Sequence, residues 1–285
     1  HGGATTQFFF FFLNLLNDNE TAAYLDCGVW GTKPIKEAKL FGTVNVVASS
    51  KDKGYTYIPR DFVIPGDSAY FHYTTNNTIE GTEMHFVPDT NVPLVADMSS
   101  DVLSRVMDFN QFDLIYAGAQ KNIGAAGVNM VVVNKNILGR VTRQLPSMMD
   151  YRKHIENGSM LNTPPVFAVY VCMLTLRWLK EQGGVAAIEK INDQKAALLY
   201  DTLDSIPVFK PTVDKADRSK MNVVFVMDNP ELEKSFLELC KKEGMVGVKG
   251  HRSVGGFRVS LYNALPLSSV KTLVEVMQHF ALKHA

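Results

Sequence analysis

Two side chains carry the chemistry this sequence offers most clearly. Lys121 lies in Tyr116-Ala-Gly-Ala-Gln-Lys-Asn-Ile-Gly-Ala-Ala-Gly127, directly after an apolar run and among residues small enough to leave room around its amine. A lysine at the end of a buried strand loses solvation, which lowers its pKa and frees the amine as a nucleophile. The competing reading is a solvated loop lysine, the commoner case on composition alone. Asp97 follows Pro93-Leu94-Val95-Ala96 and so projects from the C-terminal end of a strand, the edge where open α/β sheets bind ligands. Its competing reading is the cap of a helix starting at Ser99-Ser100. An amine and a carboxylate at one sheet edge suit an aldehyde-bearing ring cofactor. The lysine forms a Schiff base, and the carboxylate keeps a pyridine nitrogen protonated so that the ring accepts electrons. The sequence has no G-K-[ST] and no GxGxxG, so neither a P-loop nor a dinucleotide fingerprint is present.

The elements that must position these residues follow from periodicity and punctuation. Thr5 or Thr6 is expected to cap a helix through Phe8–Leu16, which Asn17-Asp18-Asn19 ends. The five phenylalanines from Phe8 to Phe12 cannot share one face, so that helix is expected to be buried nearly all round. Short strands are expected at Ala22–Asp26, Thr43–Ser49, Ala69–Thr74, Pro93–Ala96, Leu114–Ala117 and Val128–Val133, with a short helix at Pro34–Gly42 and helices intervening between strands. Runs this short and unalternating belong to a sheet covered on both faces, as in α/β folds. From Pro164 the pattern turns helical, with Phe167, Tyr170, Val171, Leu174 and Trp178 spaced by three and four. Gly183-Gly184 interrupts it, and a second helix spans Ala186–Ile206. After Pro207 a compact α+β unit is expected, with strands Met221–Met227, Val246–Lys249 and Phe257–Ser260 and helices Asn229–Gly244 and Leu267–Lys283. The double glycine marks the expected boundary, dividing the chain into 1–187 and 188–285.

Composition excludes several functions. The 285 residues carry 29 Lys+Arg and 29 Asp+Glu, a net charge of +0, so no basic excess exists for nucleic acid to recognise. The longest strongly apolar run, Phe8–Leu13, falls far short of the ~18 residues a membrane-spanning helix needs. Cys27, Cys172 and Cys240 are widely spaced and form no CxxC pair, which argues against both a disulfide framework and a zinc site. Reduced thiols in a cytoplasmic protein are the simplest reading, and no metal site is expected. The chain opens on His1-Gly2-Gly3 and runs straight into an apolar stretch, so further residues are expected to precede it.

Three segments together resemble the phosphoserine aminotransferase family: Gly118-Ala-Gln-Lys-Asn-Ile-Gly124, Asn157-Gly-Ser-Met-Leu-Asn-Thr-Pro-Pro165 and Lys249-Gly-His-Arg-Ser-Val-Gly-Gly-Phe-Arg258. The resemblance runs through the whole chain, and its motifs agree independently of one another. It implies the aspartate-aminotransferase-like fold of the fold-type I pyridoxal-phosphate enzymes: a large α/β domain with a mainly parallel sheet and a smaller C-terminal α+β domain. It also implies a homodimer with shared active sites. Carried over, Lys121 resembles the Schiff-base lysine and Asp97 the partner of the pyridine nitrogen. Trp30 resembles the residue that stacks on the cofactor ring, and Thr78 a threonine that contacts it. Ala4, Thr5 and Gln120 fall at phosphate-holding positions, the first two through backbone N–H groups at a helix start. Asn162 and Thr163 would reach the cofactor of the neighbouring subunit. His251, Arg252 and Arg258 resemble the substrate-binding residues, with paired guanidinium groups suited to carboxylate and phosphate oxygens.

The implied reaction moves an amino group between L-glutamate and 3-phosphohydroxypyruvate, giving O-phospho-L-serine and 2-oxoglutarate. Serine biosynthesis is the implied context, and pyridoxine biosynthesis a second one to consider. The sequence departs from the family in three places. Ala125 stands where many members have proline, the Phe8–Phe12 run replaces a more varied segment, and a His-Arg pair that precedes the Gly-rich loop in the family is not in this sequence. Two alternatives remain beside this reading. One is another fold-type I enzyme, related to alanine–glyoxylate aminotransferase or cysteine desulfurase; the other is a non-catalytic dimer that binds the cofactor.

Overall fold

In the computed structural model, residues 2–284 are described. The first helix, α1 (Ala4–Leu15), holds all five phenylalanines. Phe8, Phe10, Phe11 and Phe12 are buried and Phe9 is half-buried, so the near all-round burial expected of this run is what the fold achieves. The helix starts earlier than a Thr5 or Thr6 cap predicts. Gly3 stands at the cap position with no side chain to offer, so the first-turn amides have no side-chain acceptor.

The apolar runs become one sheet. β1 (Thr21–Asp26) and β2 (Thr43–Ser49) are joined by α2 (Val29–Ala38). β3 (Phe71–Thr74) leads into a small antiparallel ribbon, β4 (Asn76–Asn77) and β5 (Thr82–Glu83), and then come β6 (Leu94–Asp97), β7 (Leu114–Gly118) and β8 (Asn129–Val133). The main sheet runs β2-β1-β3-β6-β7-β8, with every pair parallel except β7 and β8. One face packs on α1 through Tyr24, Tyr70, Val95, Leu114 and Tyr116. The other packs Phe71, Tyr73, Ala96 and Ile115 against Ile58, Met84 and Phe112.

Two expectations for this sheet and its helices need correcting. The α2 helix begins at Val29 and carries Pro34 inside it. The Thr32 hydroxyl bonds Gly28 O at 3.1 Å, which holds the first turn upstream of the proline. Helices also do not intervene between all strands: among the described residues, 39–150 contain turns and short 3-10 segments but no α-helix. Pro59, Pro65, Pro88 and Pro93 punctuate that stretch and deny it the unbroken N–H ladder a helix requires.

After α3 (Tyr151–Glu156) come α4 (Val166–Glu181) and α5 (Val185–Ser205), separated by Gly183-Gly184, both at positive φ. The C-terminal unit holds β9 (Phe209–Pro211), β10 (Asn222–Met227), α6 (Leu232–Lys242), β11 (Phe257–Ser260) and α7 (Leu267–His284). Its sheet runs β11-β10-β9, antiparallel throughout, over a core of Leu199, Phe209, Phe225, Phe236, Phe257 and Phe280. The strand expected at Val246–Lys249 does not form. Gly247 sits at φ +80, outside the extended region, and only Lys249 makes an isolated bridge, to Phe257. A mainly parallel α/β sheet followed by an α+β unit is the architecture expected of the sequence.

Candidate active site

Parallel register brings three strand ends together: Thr74 pairs with Asp97, and Asp97 with Tyr116, one residue before the Ala117-Gly118 exit of β7. The cavity at this edge is lined by Lys121, Asp97, Trp30, Thr78, Gln120 and, from the start of α1, Gly3, Ala4 and Thr5. Thr74, Asn76, Ser99 and Ser100 complete the lining. These four were not singled out from the sequence: Thr74 ends β3 at its carboxyl edge, the signal that pointed to Asp97, but Asn76 opens β4, and Ser99 and Ser100 lie two and three residues past the end of β6.

The Lys121 amine donates to Thr78 Oγ1 at 2.6 Å and lies 6.0 Å from the centre of the Trp30 ring. Burial lowers its pKa to about 8; Asp97 and Asp101 oppose that shift, and Arg258 adds to it. The solvated-lysine reading therefore does not describe this residue. Asp97 is buried, and desolvation pushes its carboxyl above the usual range against the pull of Ser99, Lys121 and Tyr116. Its Oδ1 accepts the Ser99 amide at 2.9 Å, as a cap would, but the residues after it form a run of turns and no helix.

Thr78 also ties the site to the C-terminal unit. It sits in the turn between β4 and β5, and its carbonyl accepts from the Arg258 guanidinium at 3.4 Å. Asn76 Nδ2 donates to Asn222 Oδ1 at 2.9 Å from the same ribbon. Gly81, at φ +84, lets the ribbon approach β10: a Cβ there would meet Val224 Cγ2 at 2.8 Å and Asn222 O at 2.9 Å. Trp30 is set by the start of α2, where the Val29 amide donates to Glu80 Oε1 at 2.9 Å, and its indole packs beside Phe8.

The structure does not gather every residue expected of the site. His251 bonds Ser253 at 2.7 Å within its own loop and Arg252 is exposed; neither lines the cavity. Asn162 and Thr163, between α3 and α4, do not line it either.

A desolvated amine, a buried carboxylate, an indole wall and the uncapped amides of a helix start converge on one cavity. That donor set fits pyridoxal phosphate, whose aldehyde, ring nitrogen, ring face and phosphate each meet a matching group.

Comparison with known proteins agrees with this chemistry. The family model of class-V aminotransferases matches residues 1–273. The phosphoserine aminotransferase of Flavobacterium johnsoniae is 57% identical over 277 residues, spanning 97% of this chain and 78% of that one. Among solved structures, the phosphoserine aminotransferase of Bacillus circulans subsp. alkalophilus superposes with a TM-score of 0.97 at 44% identity, covering 100% of this chain and 80% of the other. The pyridoxal-phosphate-bound phosphoserine aminotransferase of Trichomonas vaginalis gives 0.92 at 37% identity, with 97% and 80% covered.

Proposed function

This chain belongs to the phosphoserine aminotransferase family of class-V aminotransferases, and on that premise we propose that it moves the amino group of L-glutamate to 3-phosphohydroxypyruvate, giving O-phospho-L-serine and 2-oxoglutarate. The observation that carries the proposal is the Lys121 amine, desolvated and bonded to Thr78, at the same sheet edge as buried Asp97.

Bound pyridoxal phosphate supplies an aldehyde that accepts the amino group and a ring that withdraws electrons from the reacting carbon. The chain's own residues do the rest. Lys121, with its pKa near 8, keeps an appreciable neutral fraction near neutral pH, so it serves as nucleophile and then takes the proton from the substrate Cα. Asp97 holds a proton on the ring nitrogen, and the Trp30 indole packs against the ring face. Ala4 and Thr5 offer backbone amides to the phosphate, with Gln120 beside them. Arg258, close to Thr78, binds the substrate α-carboxylate; His251 and Arg252 are assigned to the phosphate or distal carboxylate on the family resemblance alone, since neither lines the cavity of the single chain.

We further propose a homodimer in which Asn162 and Thr163 reach the partner's cofactor. The exposed Phe167 and Tyr170 just beyond them, at 76% and 53%, support a covered face there. The division into 1–187 and 188–285 and a cytoplasmic location belong to the same reading. Among the described residues no helix is long and apolar enough to cross a membrane.

Supplied with pyridoxal phosphate, the chain is expected to turn over 3-phosphohydroxypyruvate with L-glutamate. Preference for glyoxylate, or release of sulfur from cysteine, would point instead to the other fold-type I enzymes. Those alternatives are not favoured: several curated relatives above 50% identity are phosphoserine aminotransferases.

A further inference from the structure

Two buried side chains stand beside Asp97 on the face of the sheet that α1 covers, and neither lines the cavity. Tyr116 is the register partner of Asp97 on β7. His72 on β3 pairs with Val95, two residues before Asp97, and side chains two apart on a strand share a face. Both are 0% exposed, and His72 Nε2 lies 2.9 Å from the Tyr116 hydroxyl. Phe11 from α1 stacks over the pair, 5.0 Å and 4° from the His72 ring and 5.6 Å and 19° from the Tyr116 ring.

The proton positions follow from what each atom lacks. Burial lowers the His72 pKa to about 3, so the ring is neutral and carries one N–H. Nδ1 has no partner. A bare lone pair there costs less than an N–H without an acceptor, which places the proton on Nε2, pointing at the Tyr116 oxygen. The tyrosine proton is then free for the Asp97 carboxyl, with which the hydroxyl interacts. The other titratable groups facing this cluster are Tyr24 on β1, Tyr70 just before β3, Tyr151 on α3 and Lys121. Burial raises the three tyrosine pKa values, which keeps them uncharged.

We propose that His72 and Tyr116 are positioning residues whose hydrogen-bond chain, running from imidazole through phenol, holds Asp97 as a carboxylate toward the cofactor's ring nitrogen. The inference rests on the function proposed above. Without the phenolic donor, Asp97 would face a desolvated site with one fewer group favouring its charge.

The test uses the full chain titrated with pyridoxal phosphate, comparing wild type with Tyr116→Phe, His72→Leu and His72→Gln. Tyr116→Phe and His72→Leu are expected to weaken cofactor binding about tenfold, the effect of one hydrogen bond to a charged group. The pH midpoint of the bound cofactor's absorbance should move upward in both, because a less firmly protonated ring nitrogen withdraws less charge. His72→Gln keeps a donor and should stay within about threefold of wild type. Folded variants with wild-type affinity and midpoint would overturn the inference. So would equal weakening in all three with an unmoved midpoint, which would mark a packing role. A wild-type chain that binds no cofactor would instead remove the functional reading itself.

Discussion

Lys121 Nζ donates a 2.6 Å hydrogen bond to Thr78 Oγ1, joining the exit of β7 to the turn of the β4–β5 ribbon across 43 positions of sequence. The same threonine receives Arg258 from the C-terminal unit at its carbonyl oxygen. The proposed nucleophile and the proposed substrate clamp therefore meet through one residue.

That placement gives the cofactor-free chain a defined dependence on pH. Burial puts the Lys121 pKa at about 8, below its unfolded value, so the unfolded chain holds more protons than the folded one between about pH 8 and 10.4. The Lys121 contribution to stability is expected to rise with pH across that window, by about 1–3 kcal/mol. Lys121→Met removes this contribution, so the variant should gain less between pH 7 and pH 10 than the wild type; Lys195, which burial also lowers to about 8, keeps its own contribution in both proteins. Urea midpoints at pH 7 and pH 10 measure it, and equal slopes in both proteins would contradict the assigned burial.

Arg258→Lys keeps the charge but loses the planar fork that matches a carboxylate. The expected result is a fall in kcat/KM of about a hundredfold, mostly in KM, with the cofactor absorbance retained. Steady-state rates at varied L-glutamate read this directly. An unchanged KM would place the carboxylate elsewhere.

Gly124 tests how the lysine loop is held. A Cβ there would meet Cys172 of α4 at 2.8 Å from its Cα and 2.9 Å from its N, backbone atoms that cannot swing aside. Gly124→Ala should cost about 1–3 kcal/mol by overpacking. Gly66→Ala, where nothing lies within 4 Å of the added carbon, serves as the control and should stay within about 0.5 kcal/mol. Thermal unfolding of the two variants separates a crowded loop from a general intolerance of alanine.

These residues also mark what the sequence makes legible. Asp97 and Lys121 stand out in the sequence because each comes at or shortly after the end of an apolar run, and strand ends are where such sheets bind ligands; the fold brings both to one cavity. Thr74 reads only as the end of a strand and Ser99-Ser100 only as the start of a helix, since nothing short of the parallel register brings these segments and Asn76 to one point. The Phe8–Phe12 run reads locally as an oddity. In the fold Phe8 meets Trp30, Phe11 meets His72 and Tyr116, and Phe12 meets Phe41, partners drawn from four separate segments. Short unalternating apolar runs signal a covered parallel sheet but not what covers it: on one face the cover is largely irregular chain, with no α-helix among the described residues 39–150. The loop of His251 turns on Gly255 and Gly256, both at positive φ, and its path relative to the cavity is a matter of tertiary packing that no motif spells out.

Lys121 is the residue to which the cofactor is proposed to be joined. Borohydride reduction of the chain loaded with pyridoxal phosphate, with mass mapping of its peptides, tests it most directly. The reduced cofactor is expected on the peptide containing Lys121, and should be lost together with the absorbance in Lys121→Ala while the fold is retained. Label on another lysine, or an unchanged chromophore in Lys121→Ala, would contradict it.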